Sequence, residues 1–422
     1  MNTKTLQTGR WLAGFALLLM SLTGTRTEAA IDGVTGTNFN FTAKPAIITT
    51  PDGDSLLVWG YGLDGGPMQY PGPTLIVNQG DTITIKLINE LGVANMPVSL
   101  VFPGQEGVSA SGGTAGLLTQ ESSGPTDTVT YTFTASHAGT YLYNSGTQPE
   151  LQIEMGMLGA IIVRPAAAKQ AYNHPDTAFD HEYLFLLTEM DPQVHYMASL
   201  GLFDVIDNSA YNPVLWFING RNAPDTMADA GASWLPNQPY NIVPRTHVAE
   251  TVLARVISAG RDLHPFHFHG NHVKLIGRDG RLLESATGTG PDLARVDFTI
   301  QAVPGSTYDA LWSWTGYKLG WDIYGHKNGD PLEPNEYAPD HGKPLPVALP
   351  ALQDMTFGGF YSGSPFLGDF GDLPPGEGGL NLNGGMFYMW HSHAEKELAN
   401  NDIFPGGMMT MMIIEPADVP IP

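Results

Sequence analysis

What most restricts the fold of this chain is its patterning: short runs of alternating β-forming residues, broken every few positions by turn residues, with no long helical period competing. Thr82-Ile83-Thr84-Ile85-Lys86-Leu87-Ile88, Thr128-Val129-Thr130-Tyr131-Thr132-Phe133 and Gly159-Ala160-Ile161-Ile162-Val163 are examples. Gly 50 and Pro 33 make up about a fifth of the 422 residues, against a usual ~12%, which fits many turns joining short strands. The pattern predicts an all-β protein of antiparallel sheets, a sandwich or a barrel.

A second set of strands opens around Tyr183-Leu184-Phe185-Leu186-Leu187 and runs to Ile413-Ile414-Glu415. Residues 1–29 read as a signal peptide: Lys4 and Arg10 precede an apolar run at 11–22, and small residues follow up to Ala29 and Ala30. That run is short for a bilayer span and no second one follows, so an exported protein without a membrane span is expected, periplasmic or extracellular. Residues 30–165 form the first expected domain, 166–175 a linker and 176–422 the second domain. A Gly/Pro-rich insertion at about 318–385 is expected as a surface excursion, covering a site mouth or packing on a neighbouring subunit. No internal repeat is obvious, although two sandwiches in tandem would be natural.

The formal charge is -23, which argues against nucleic acid as a partner and for a solvated surface. No cysteine is present, so neither disulfides nor a thiolate metal centre can form, and the fold must rest on apolar burial.

Five of the thirteen histidines fall in His264-Pro265-Phe266-His267-Phe268-His269-Gly270 and Trp390-His391-Ser392-His393. Residues two apart on a strand share a face, so His267 with His269 and His391 with His393 each present two imidazoles the same way. If the two strands are neighbours, four nitrogens converge, a set that suits copper, zinc, iron or nickel. His264 and His272 are weaker candidates. His137, His174, His181, His195, His247, His326 and His341 read as hydrogen-bonded core or surface residues, and Met408, Met409, Met411 and Met412 as an apolar last strand.

On these residues the chain resembles the multicopper oxidases. Pro71-Gly72-Pro73-Thr74-Leu75-Ile76-Val77-Asn78-Gln79-Gly80-Asp81 with Ile88-Asn89-Glu90-Leu91 looks like the family's first-domain opening, and Gly139-Thr140-Tyr141-Leu142-Tyr143 like the strand leading into its second copper motif. Phe217-Ile218-Asn219-Gly220-Arg221 is similar to the entry of a later domain, and the two histidine motifs are similar to the C-terminal copper motifs. The resemblance implies two tandem Greek-key cupredoxin-like sandwiches and copper as cofactor. His264 would belong to the type 1 centre, and His267, His269, His391 and His393 to the three-copper cluster.

The chain departs from that pattern at several places. Ser392 stands where the type 1 cysteine belongs, and Glu397 where its second histidine is expected. The stretch 98–104 lacks a His-x-His, and Asn144-Ser145-Gly146 replaces another. Four of eight cluster ligands remain, so a copper-binding protein without a type 1 centre is expected, and any oxidoreductase activity should fall short of four-electron dioxygen reduction. The alternative is a copper-free scaffold or extracellular interaction protein on the same fold. A homo-oligomer, or a hetero-oligomer with an intact paralogue, is left open.

Overall fold

A computed structural model of the chain describes residues 31–344, 364–365, 386–415, 417 and 419–421. The expected signal peptide and most of the insertion beyond residue 344 lie outside the described residues.

Apart from the small ladder of Thr114–Ala115 with Gln120–Glu121, the described strands sort into two pairs of sheets. In the first pair, Asn38–Thr49 pairs antiparallel with Ser55–Leu63 and parallel with Thr82–Asn89, which continues through Val129–Thr134 to Ser109–Gly112. Facing it, Leu75–Asn78 pairs parallel with Leu158–Arg164, itself the hairpin partner of Gly139–Asn144. The second pair repeats the scheme: His181–Met190 lies antiparallel to Leu215–Ile218 and parallel to Thr251–Ser258. Opposite, Arg245–His247 runs parallel to Met409–Glu415, the hairpin partner of Met386–Ser392. This mixed parallel and antiparallel order, with sequential strands crossing between sheets, is what a cupredoxin-like all-β fold requires.

Period-2 burial fixes the registers. In Thr82–Asn89, Ile83, Ile85 and Leu87 are fully buried while Thr82 and Lys86 face solvent, and each such side chain contributes on the order of 1.5–3 kcal/mol relative to exposure. Between the sandwiches, Leu142, Leu158, Ala160 and Ile162 pack on Leu184, Leu186 and Ile257. Beside them the buried Arg255 guanidinium bridges Glu182 at 2.9 Å and Asp309 at 3.3 Å. Within the stretch 166–175 expected as a linker, Ala171 and Tyr172 are buried.

Two features depart from expectation. Leu319, Trp321 and Ile323, at the start of the Gly/Pro-rich insertion, join the second core, so the segment begins inside the domain: three apolar residues at alternate positions outweigh the surrounding turn residues. The helix Pro192–Ser199 breaks the strand pattern: Asp191 caps it by accepting from Gln193 N at 2.9 Å and Pro192 opens it.

Candidate metal centre

The strand His264–Phe268 sits between Thr299–Ala302 and Met386–Ser392, with His267 directly opposite His391. Aromatic packing sets which way the histidines point. Phe266 and Phe268 are buried against Phe185 and Trp390, with ring centroids 5.2 Å and 4.9 Å apart respectively, and Trp390 packs on Trp312 at 5.4 Å. Holding these rings in the core turns the odd-numbered neighbours outward.

On that outer face the four expected imidazoles meet. Ring centroids of His267 lie 4.8 Å from His269, 5.5 Å from His391 and 4.9 Å from His393. Nε2 of His269 is 3.1 Å from Nε2 of His391, about the separation of two nitrogens each held ~2.0–2.1 Å from one ion. His391 Nδ1 donates to Ser392 O at 2.6 Å, and His267 Nδ1 pairs with Thr299 Oγ1 at 2.7 Å. Occupying Nδ1 turns Nε2 toward the shared space, the arrangement that orients imidazole ligands in metal sites. Burial, then the charges His269, His391 and His393 would carry, lowers the His267 pKa to about 3. Burial, partly opposed by the Ser392 carbonyl, lowers His391 to about 4. Both rings are neutral near pH 7, the ligating form. His393 is half exposed, so the cluster opens to solvent.

His264 is not brought to this cluster. It lies fully buried on the core face of the strand, its Nδ1 2.9 Å from Glu397 Oε2 and its Nε2 2.9 Å from Glu189 Oε2. Burial pushes its pKa down, but its hydrogen bonds to Glu189 and then to Glu397 outweigh that and raise it to about 9. Both nitrogens therefore donate to carboxylates. Glu189 is further fixed by the N–H groups of Arg261 and Asp262 and by Tyr211 Oη. Both His264 ring nitrogens thus face carboxylates inside the core, and neither faces the imidazole cluster. His272 lies outside the cluster, its ring edge-on to Phe298. Met408 and Met412 pack in the second core.

At the equivalent place in the first sandwich, Val101 bridges Asn144 and Gly146 N donates to Ser99 Oγ at 3.1 Å. Hydroxyls and an amide fill the space. Ser99 Oγ is 2.8 Å from Thr147 Oγ1, and Ser145 Oγ donates to Gln152 Oε1 at 2.6 Å. A Cβ at Gly146 would lie 2.7 Å from Val101 Cγ1, so a side chain has no room there.

Of the remaining histidines, His174 caps a turn, His195 Nδ1 pairs with Leu57 O at 2.6 Å, and His181 and His247 pair with Glu250. His326 and His341, which sequence reasoning set aside, converge with Asp322 and Glu336. Their spacing gave no signal, since they lie on irregular chain rather than one strand.

A multicopper oxidase family model matches residues 63–168. An L-ascorbate oxidase of Cucurbita maxima is 30% identical over 153 residues, 36% of this chain and 25% of that protein. An iron transport multicopper oxidase of Epichloe festucae is 28% identical over 50% of this chain and 30% of its own length. The matched region thus spans only about a quarter of the first relatives. Among solved structures, a blue copper oxidase from Nitrosomonas europaea superposes with a TM-score of 0.56 at 18% identity, covering 89% of this chain and 85% of that one. In fold the chain is cupredoxin-like, and over residues 63–168 its sequence resembles a multicopper oxidase domain.

Proposed function

We propose that the protein is exported and binds one copper ion through His267, His269, His391 and His393, without a type 1 centre. The observation that carries this reading is that His267, His269 and His391 bring ring nitrogens within 4.8 Å of one another, two Nε2 atoms 3.1 Å apart, with the His393 ring centroid 4.9 Å from that of His267. The donor set fits copper: borderline nitrogen ligands, with His267 and His391 neutral near pH 7 and oriented through Nδ1. Bound there, copper would supply one-electron redox and Lewis-acid chemistry. The chain's own part is to hold the rings. Thr299 and the Ser392 carbonyl fix two of them, Phe268 and Trp390 stiffen the sheet behind, and half-exposed His393 leaves one side open to small solutes. The absence of cysteine and the two carboxylates on His264 support the lack of a type 1 centre. Export is supported by the apolar run at 11–22 after Lys4 and Arg10. No helix among the described residues is long and apolar enough to cross a membrane.

A copper-free scaffold is the second reading, favoured by the closed hydroxyl network at Ser99, Ser145 and Thr147. Metal content decides between them. Protein isolated without chelator or metal-affinity tag should carry one copper per chain, lost when His267, His269, His391 and His393 are all alanine. A wild-type chain that takes up no copper after incubation, while equally folded, would leave the scaffold.

A further inference from the structure

Residues 318–344 form the main described part of the Gly/Pro-rich insertion. Its start is anchored, with Leu319, Trp321 and Ile323 in the core. Beyond Ile323 the described stretch up to residue 344 has no strand and one short 3-10 turn, Ala338–Asp340, and Leu332 is half exposed. Apolar burial therefore contributes little to holding this path.

What converges there is polar. His326 Nδ1 lies 3.0 Å and 2.9 Å from the two oxygens of Asp322 and 3.5 Å from Glu336 Oε1. His341 Nδ1 lies 3.0 Å and 3.2 Å from the two oxygens of Glu336. Asp322, His326 and Glu336 are 3–7% exposed and His341 29%. The imidazole rings are 4.3 Å apart, tilted by 42°.

Hydrogen bonding alone matches this set poorly. His326 Nδ1 can offer one proton to three carboxylate oxygens. Neutralising two buried carboxylates by protonating both rings would set two like charges 4.3 Å apart. A single dication neutralises both carboxylates and leaves both rings neutral. One donor atom from each residue lies within 4.8 Å of the others, close enough to gather on one ion with modest side-chain rotation.

The histidine pair with Glu250 differs. There one carboxylate oxygen serves His181 Nε2 and His247 Nδ1, and His247 Nε2 is bonded to Val419 O. One carboxylate thus faces two rings, and no second carboxylate is left to neutralise; His247 has both ring nitrogens bonded, while His181 Nδ1 is buried without a partner among the described residues.

We propose that Asp322, His326, Glu336 and His341 form a second metal site, separate from the imidazole cluster, which binds a divalent first-row cation, zinc foremost. Two imidazoles and two carboxylates make a closed four-donor set of the structural zinc kind, and with no sulfur it does not select Cu(I). Backbone groups orient the carboxylates from outside. Tyr324 N donates to Asp322 Oδ1 at 2.9 Å, Gly342 N to Asp322 Oδ2 at 2.8 Å, and Glu333 N to Glu336 Oε2 at 3.0 Å. The ligands bracket the loop, whose ends are tied by Asp322 N donating to Lys343 O at 2.9 Å. The ion cross-links what little else holds.

The test uses the full chain carrying alanine at 267, 269, 391 and 393, so that the first cluster is silent. Stripped with chelator and dialysed against micromolar zinc, it should retain one zinc per chain, and zinc should slow proteolysis between residues 324 and 343. Adding Glu336→Gln and His341→Asn should weaken zinc binding by about 100-fold or more and abolish the protection. Where the double variant loses its far-UV signal, His341→Asn alone, at the most exposed of the four positions, is read instead. A folded chain that retains no zinc, or that retains it equally after these substitutions, overturns the proposal.

Discussion

The two faces of the strand His264–Phe268 use the same residue type for opposite ends. On the core face, His264 is clamped between Glu189 and Glu397 and its pKa rises to about 9. On the outer face, three residues away, His267 sits among imidazoles and its pKa falls to about 3. A strand alternates its faces, so an odd step from 264 to 267 exchanges carboxylate neighbours for histidine neighbours. A histidine's role here follows from its face and partners, and the charged one is fixed in the core while the neutral ones are left to take a ligand.

The sharpest way to break that comparison is to remove one ring from each face of the metal-free protein. His264→Leu strands two buried carboxylates against each other and should cost about 3–5 kcal/mol in urea unfolding. His267→Ala removes a half-buried ring that faces other imidazoles and makes no ion pair of its own among the described residues, and should cost about 1 kcal/mol or less. Equal costs would mean that the buried triad is not held by charge.

The pH dependence separates the faces next. The His264 pKa is raised, so its contribution is fully present below about pH 6.5 and is lost as pH rises through about 9. The shift corresponds to about 3 kcal/mol. His267 and His391 have lowered pKa values, so they remove stability as pH falls from about 6.5 toward 3–4. With chelator present, the urea midpoint should fall on both sides of neutrality. Glu397→Gln should shrink the alkaline limb alone, and His267→Ala with His391→Ala the acid limb alone. A single variant that erases both limbs would show the faces to be coupled.

Much of this was legible beforehand. Strand positions followed from period-2 burial, as in Thr82–Asn89, and the His-x-His spacing put the outer imidazoles on one face before any pairing was known. The two tandem sandwiches followed from the family resemblance and not from an internal sequence repeat, because Ser99 and Gly146 share no side-chain chemistry with His267 and His393. Nor was the clamp on His264: Glu189 lies 75 residues from it in the chain, and no local pattern links them. The site at Asp322 escaped because its four ligands sit on irregular chain, where spacing does not encode direction.

The smallest expected effect tests whether the core face could still accept copper. Ser392 is fully buried and its Oγ accepts one bond, from Ala394 N at 3.3 Å, so Ser392→Cys should change stability by about 1 kcal/mol or less. A thiolate alone makes no type 1 centre, which also needs imidazole nitrogens with free lone pairs. Both nitrogens of His264 are donating to carboxylates, Nδ1 to Glu397 and Nε2 to Glu189. Copper-loaded Ser392→Cys should therefore show no thiolate charge-transfer band in the visible spectrum and keep the wild-type copper content. A blue species would mean that His264 leaves its carboxylates when a soft ligand arrives, and that its charge is not what fixes the core face.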